Sequence, residues 1–259
     1  RLTRYHLTLA PRLAYLGHRR DQRIFQQRSV PQIIATVLEH HGILADSYAF
    51  ELGPVVYPPR TFCVQYAETD LHFIQRLCEE EGIHYHFRHS EGAHVLVFGD
   101  DQTVFRRLPV QRYSPAGGPQ ADTRVIQRFD VRLGTRSGQT VRRDHDFEHP
   151  SLRLQTTAGS TAAQTLEDYC YPAGFSGHAR GSRLARRGLE RHQRDRFRAL
   201  GKSDQPVLRS GHFLELQEYP DPLCNDLWLI TSVRHEGYQP QVLEEAAEEV
   251  GTFQGYRNR

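Results

Sequence analysis

The feature that most constrains the fold is a change in the spacing of apolar residues between Ser29 and Phe98. The spacing fits first a helix, then a strand, then a second helix, and finally two strands. Ser29 followed by Gln32 is typical of a capping box, and Gly42 is a suitable helix end. Apolar residues then recur at helical spacing, which predicts one buried helix face: Val30, Ile33, Ile34, Val37 and Leu38.

A second helix is predicted to begin after Thr69, a good N-cap residue, and to end at Gly82. Alternating apolar and polar residues after Gly82 predict a strand, and the turn at Ser90–Gly92 predicts a hairpin with Val95–Phe98. Shorter strands are predicted near residues 48–52 and 61–66. Residues 23–108 are therefore predicted to form a small α+β module of helix, strand, helix and hairpin.

The second half of the chain carries strand patterns around one arginine-rich helix. The stretch at residues 109–122 contains Pro-Ala-Gly-Gly-Pro and predicts a loop or linker. Residues 124–133 and 139–147 alternate as antiparallel strands do, residues 177–200 fit a helix, and strand patterning then returns. The pattern indicates an antiparallel β-barrel or sandwich over residues 109–240, with the helix inserted in it.

Composition argues against several classes of function. The formal net charge of +2 is too small for binding a polyanion through bulk charge alone. The chain has no run of 18 apolar residues, so the sequence predicts no membrane span. The four cysteines form no C-x-x-C pair and are typical of reduced, mostly buried thiols. The absence of methionine and the start at Arg1 indicate a piece of a longer protein.

Several segments, in order along the chain, carry a family resemblance. They are Arg23–Gln26 with Ser29–Ile34, Cys63–Asp70 with Phe73–Leu77 and Glu79–Ile83, His145–Phe147 with Pro150, and Gly211–Leu214 with Trp228–Thr231. The sequence resembles the VgrG family of type VI secretion spike proteins and the baseplate hub of contractile-tailed phages. Its most specific positions are Cys63, Gln65, Tyr66, Glu68, Asp70, Phe73, Arg76, Leu77, Glu79, Glu81 and Gly82.

The resemblance implies a structural hub rather than an enzyme, with no catalytic residue, cofactor or metal. Members of the family form homotrimers, in which two barrel-like domains per subunit make a ring that matches a hexameric tube. Residues 1–22 would then end a first barrel, residues 109–240 would form the second, and residues 241–259 would lead to an OB-like domain outside this sequence.

The resemblance also implies partners and a location. A spike tip protein and effectors are expected to bind through the domains outside this sequence. The protein is expected in the bacterial cytoplasm before firing and then in the target cell, without a signal peptide. Neither nucleic acid nor stable membrane insertion is expected.

Three consecutive glutamates lie at the C-terminal end of the second predicted helix: Glu79, Glu80 and Glu81. They oppose the helix macrodipole there, at a cost of about 0.3–1 kcal/mol each. Arg76, one turn earlier, can offset part of this repulsion. We therefore hypothesise that this acidic end meets a basic group, and a subunit interface is one possible place for that contact.

Three other patterns allow alternative functions. His84 and His86 share a strand face and His94 could lie opposite, so a metal-dependent hydrolase is the alternative from another class. A baseplate hub from a phage or phage-derived particle is the nearer alternative. The arginines of residues 180–198 favour a solvated or channel-facing helix over nucleic-acid binding, because Glu190 and Asp195 interrupt them.

Paired carboxylates give a last candidate site. Asp144, Asp146 and Glu148 would share one face of a predicted strand, an arrangement that can serve acid–base or metal chemistry. Carboxylates on one strand face repel each other unless they are solvated. The structural interpretation, in which the motif belongs to a barrel strand, is therefore favoured.

Overall fold

The computed structural model describes residues 5–115, 124–160, 166–238 and 255–259. The helices are α1 (Val30–His40), α2 (Asp70–Glu81) and α3 (His178–Arg196). The strands are β1 (Arg20–Arg28), β2 (Tyr48–Glu51), β3 (Arg60–Thr69), β4 (His84–His89), β5 (His94–Gly99), β6 (Arg106–Arg107), β7 (Gln111–Arg112), β8 (Ile126–Leu133), β9 (Gln139–Asp144), β10 (Leu154–Gly159), β11 (Glu167–Cys170), β12 (Phe197–Ser203), β13 (His212–Gln217), β14 (Leu227–Ile230), β15 (His235–Tyr238) and β16 (Gly255–Asn258). Among the described residues, no helix has both the length and the apolar character needed to cross a membrane.

The first helix begins where the capping box predicts. The backbone N–H of Ser29 donates to Oε1 of Gln32 at 2.9 Å, and Pro31 lies in the first turn. The buried residues of α1 are the five apolar residues that the spacing selects. Both the position of this helix and its buried face are confirmed.

The second helix is delimited by its own sequence at both ends. The side-chain oxygen of Thr69 accepts a hydrogen bond from the His72 N–H at 3.2 Å. At the other end, Gly82 has a φ of 73°, the left-handed conformation that glycine adopts without strain. A Cβ at Gly82 would lie 2.5 Å from Cδ of Arg187 on α3. Glycine is therefore required here by the backbone and by the close approach of α3.

The first core lies between the two helices and an antiparallel sheet of β1 and β3. Phe25 on β1 stacks on Phe73 of α2, with 5.7 Å between ring centroids. Leu13 and Leu16, from a 3-10 helix at Arg12–Gly17, belong to the same buried cluster. Residues 12–17 therefore pack into the α+β module.

The predicted hairpin is confirmed as β4 and β5, with β2 added in parallel to β5. Its register separates the three histidines of the hydrolase hypothesis. His84 lies opposite Gly99 and His86 opposite Val97, whereas His94 pairs with His89 at the far end. Because side chains alternate along a strand, His94 lies on the opposite face from His84 and His86. The prediction that His94 could complete a metal site with them is wrong.

The second half contains three small sheets, with the strand orders β8–β12–β16–β15, β10–β9–β11 and β6–β13–β14. A second core includes Phe129, Leu214 and Leu216, with Trp228 packed against it. A third joins α3 to the β9–β11 region through Leu154, Phe175 and Leu184. The predicted α+β class with mostly antiparallel sheets is confirmed, while closure of these strands into a barrel stays a prediction.

The arginine-rich helix is shorter than predicted. It ends at Arg196, and residues 197–203 form β12 instead of the last helical turn expected up to residue 200. The ring of Phe197 stacks on Trp228 at 4.8 Å, and β12 pairs antiparallel with β8. No glycine or proline separates helix from strand, so the sequence carries no local signal for the change.

Residues 109–122 and 241–259 were expected to be linkers, but part of each forms a strand. Gln111–Arg112 forms β7, which pairs with β13. Gly255–Asn258 forms β16, between β12 and β15. Residues 116–123 and 239–254 lie outside the described residues. The division into domains at residues 22, 108 and 240 stays a prediction.

The substitution Phe73→Ala is expected to lower the free energy of unfolding by about 3–5 kcal/mol, because it leaves a cavity in the first core. Phe73 is fully buried, whereas Phe62 on β3 is 64% exposed. Phe62→Ala is therefore the matched control and should cost less than about 1 kcal/mol. Urea titration measures both, and equal losses would contradict the position of the core.

Candidate functional site

The acidic end of α2 contacts basic side chains from β3 and α3. Glu81 is only 2% exposed and accepts hydrogen bonds from Arg60 at 2.7 Å and from Arg180 at 3.0 Å. Arg183 pairs with the second oxygen of Glu81. Three guanidinium groups therefore surround one buried carboxylate.

The neighbouring glutamates extend this contact. Glu80 pairs with Arg60 at 2.9 Å and with Arg180 at 3.2 Å. Glu79 is more exposed and pairs with Arg191. We call these side chains the α2–α3 ion cluster: Arg60, Glu79, Glu80, Glu81, Arg180, Arg183 and Arg191. The basic groups that contact the acidic end come from this chain, and a subunit interface at Glu79–Glu81 stays a prediction.

The spacing of the arginines explains why one face of α3 meets α2. Arg180, Arg183, Arg187 and Arg191 follow one another at intervals of three and four residues, which places them on one side of a helix. Arg187 donates to the backbone oxygen of Asp100 at 3.1 Å. The expectation of a solvated or channel-facing helix is therefore wrong for this face. The recurrence of these arginines on one helix face is the signal that could have identified the basic partner of the acidic run.

The electrostatic balance at Glu81 favours its charged form. Burial acts to raise the pKa of Glu81, but the charge of Arg180, the hydrogen bond from Arg60 and the charge of Arg183 outweigh it, so the pKa is lowered. Tyr57 lies against this cluster, with Arg183 5.0 Å above its ring. Its hydroxyl donates to Asp100 at 2.8 Å, and burial together with this bond raises the pKa of Tyr57.

A second polar contact fixes α3 to the β9–β11 sheet. Asp168 on β11 accepts hydrogen bonds from Arg142 at 3.0 Å and from Nε2 of His192 at 2.9 Å. Thr140 on β9 donates to the backbone oxygen of Ala185. The helix is thus attached to the module on one side and to the second half on the other.

The two stacked histidines lie where the hairpin meets the second half. His84 and His86 have ring centroids 6.2 Å apart, and Phe105 packs on His84 at 4.3 Å. Nε2 of His84 and Nδ1 of His86 are buried, and neither has a hydrogen-bond partner among the described residues. Burial, followed by the charges of His84 and Arg88, lowers the pKa of His86 to about 4.

The strand predicted to carry the three carboxylates ends at the first of them. Strand β9 stops at Asp144, which accepts a hydrogen bond from the Phe175 N–H at 2.9 Å. Asp146, Glu148 and His149 follow in an irregular, largely exposed segment, with their ligand atoms within 4.8 Å of one another. The prediction that Asp144, Asp146 and Glu148 share one strand face is wrong, because the chain leaves the sheet at Asp144.

This arrangement of module, inserted helix and sheets has known relatives. Residues 1–241 match the family described as phage tail baseplate hub (GPD). The chain belongs to the phage tail baseplate hub family.

Two curated members of this hub family show how much of a longer protein the chain spans. The type VI secretion system spike protein VgrG4b of Pseudomonas aeruginosa is 57% identical over the whole chain, which spans 33% of that protein. The actin cross-linking toxin VgrG1 of Vibrio cholerae is 34% identical over 94% of the chain, which corresponds to 22% of the toxin. The chain thus spans about a third or less of these relatives.

A solved structure supports the hub fold at lower identity. It is the Escherichia coli c3393 protein, described as a type VI secretion component with structural similarity to the T4 phage tail proteins gp27 and gp5. The TM-score is 0.65 at 21% identity, over 96% of this chain and 52% of that one. At this identity the likeness concerns the fold alone.

The positions that carry the family resemblance have distinct structural places in this hub chain. Asp70 is fully buried and accepts hydrogen bonds from Gln65 at 2.8 Å and Arg23 at 2.5 Å. Glu68 pairs with Arg76 at 2.5 Å. The others divide among the buried core (Cys63, Phe73, Leu77), the helix end (Gly82), the ion cluster (Glu79, Glu81) and the exposed surface (Tyr66).

The substitution Glu81→Gln is expected to lower the free energy of unfolding by about 3 kcal/mol, because it leaves partly buried arginines without their carboxylate. Glu79→Gln is the control on the same helix, since Glu79 is 59% exposed in its side chain and should cost less than about 1 kcal/mol. Urea titration at pH 7 measures both. Similar losses for the two variants would show that the cluster does not join α2 to α3.

Stability is expected to fall as the pH drops below 6.5. The folded-state pKa of His86 is about 4, against 6.5 in the unfolded chain. The contribution of His86 to the free energy of unfolding is therefore fully present above pH 6.5 and is lost as the pH falls towards 4. At pH 5 the loss in free energy of unfolding, relative to pH 7, is about 2 kcal/mol. Thermal melting at pH 7 and pH 5 measures the difference.

His86→Gln should reduce this pH dependence whatever its effect on stability at pH 7. His94→Gln, at the exposed tip of the same hairpin, should retain it. The same pH dependence in both variants would argue against His86 as its source.

Proposed function

We propose that this chain is the hub portion of a type VI secretion spike, a structural adaptor that joins a hexameric tube to the puncturing part of the spike. The observation that carries the proposal is the 57% identity with VgrG4b over the whole chain. Since the chain spans 33% of that relative, the activity and partners of the whole protein are part of the proposal.

The structure supports a mechanical function. A hub under axial load has to keep its parts in fixed orientation, and hydrogen-bonded ion pairs resist sliding better than apolar contacts because they are directional. The α2–α3 ion cluster and the Asp168 contact hold α3 on two sides. Such a helix fixes the module against the sheets of the second half.

A structural rather than catalytic function is part of the proposal. The three hairpin histidines lie on two faces of the sheet. Glu79, Glu80 and Glu81 are engaged with arginines, and Asp70 is engaged with Arg23 and Gln65. The observations therefore favour the hub over the metal-dependent hydrolase, which predicts a stoichiometric transition metal lost on replacement of His84 and His86.

The hub of a phage or phage-derived contractile particle shares this fold and these mechanics. Neighbouring genes separate the two candidates: sheath and membrane-complex genes for a secretion system, capsid and tail-fibre genes for a phage. In the secretion system, the whole protein would lie in the cytoplasm before firing and would be delivered to the target cell. Tip protein and effectors would bind through domains outside this sequence.

The whole protein that contains this chain is expected to restore release of the tube protein in a bacterium whose own spike gene is deleted. Release into the medium is the readout, because a spike without its hub cannot be launched. The same protein with Glu81→Lys should fail, since the change places a cation among three arginines. Glu79→Gln should retain release.

Light scattering on the purified chain provides the second readout. A trimer has three times the monomer mass of 29.9 kDa. A trimer would support the hub, whereas a monomer up to high concentration would weaken the proposal and would indicate that assembly requires the rest of the protein. Restored release by the Glu81→Lys protein would contradict the mechanical function of the cluster.

A further inference from the structure

The outer face of the β8–β12 pair has an unusual arrangement of charge. Residues of the two strands that face away from the second core are opposite one another in the register: Arg128 and Lys202, Asp130 and Leu200, Arg132 and Arg198. The four basic side chains are exposed. One face of two strands thus carries four cations and one carboxylate.

Like charges directly opposite each other destabilise an antiparallel pair, because their Cβ atoms are only about 4.5–5.5 Å apart. Here this occurs twice on one face, with Arg132 opposite Arg198 and Lys202 opposite Arg128. The stability of the isolated chain does not account for such an arrangement. A local rule broken twice in one place indicates a surface selected for another purpose.

Carboxylates of the same chain neutralise only some of the cations on this face. Arg128 pairs with Asp130 at 2.6 Å, and Arg198 lies 3.5 Å from Asp195. Within the part of the chain that the structure describes, Arg132 and Lys202 form no ion pair. By contrast, Arg180 and Arg183 of α3 are held by the glutamates of α2.

We propose that the outer face of the β8–β12 pair binds an acidic surface of another protein. Charge complementarity determines the partner: cations on two neighbouring strands fit carboxylates presented at a similar spacing. Leu200 lies between the two like-charged pairs and is 52% exposed, which suits an interface with mixed apolar and acidic side chains. A phosphate backbone offers no apolar group to contact Leu200, so a protein partner is favoured over nucleic acid.

The test uses the double variant Arg132→Gln/Lys202→Gln, which removes one cation from each like-charged pair and leaves both ion-paired arginines. Arg153→Gln/Arg209→Gln is the control, with the same loss of charge at two exposed positions on other parts of the chain. The probe is a fluorescent twelve-residue peptide of glutamates with two leucines. A single-stranded oligonucleotide of equal charge serves as the second probe.

The chain should bind the peptide more tightly than the oligonucleotide, with an affinity that falls as salt rises. The double variant should lose about tenfold in affinity for the peptide, while the control retains it. Without the peptide, the double variant should melt higher than the parent chain, because two repulsive contacts are gone.

Three results would overturn the proposal. Equal or tighter binding of the oligonucleotide would assign the face to nucleic acid. An equal loss of peptide affinity in the control variant would show that binding depends on net charge and not on this face. No measurable binding of the peptide by the parent chain would mean that the face does not recognise acidic protein surfaces. The melting measurement separates lost binding from lost folding, because an unfolded variant would melt lower.

Discussion

The arrangement of the two halves depends on one buried carboxylate. Glu81 lies at the end of α2, is 2% exposed, and contacts Arg60 of β3 and Arg180 and Arg183 of α3. Removing a charge of this kind from water is costly, and the cost is offset only where several donors are held in place around it. The position of α3 is therefore coupled to the end of α2.

The same contact explains why an unfavourable helix end persists. Glutamates at a helix C-terminus oppose the macrodipole, and an isolated α2 would be weakened by them. In the folded chain the guanidinium groups of α3 reverse this effect, because they supply positive charge where the last carbonyls and the carboxylates meet. Gly82 contributes to the same geometry, since the space that a Cβ would occupy is filled by Arg187. The unfavourable acidic helix end and the contacts with α3 that offset it thus lie within one helical turn.

Local features of the fold were predictable from the sequence, and contacts between distant segments were not. Both early helices have caps and an apolar period, so α1 and α2 were found with their ends. The acidic run indicated a basic partner, but Arg180 and Arg183 lie about a hundred residues further along the chain. Strand β12 was missed because it follows α3 without a breaking residue and is defined by pairing with β8. The register that separates His94 from His84 likewise depends on the turn of the hairpin.

Arginine has two opposite effects on stability in this chain, and burial decides between them. On the inner face of α3, guanidinium groups enclosed with carboxylates fix one structure, because any other arrangement leaves a charge unpaired in a poorly solvated place. On the outer face of β8 and β12, exposed cations lie opposite one another, where water and salt reduce the repulsion but do not reverse it. The first arrangement specifies the fold of the chain. The second weakens the isolated chain slightly. Its exposed cations become favourable only when they contact a surface of opposite charge on another molecule.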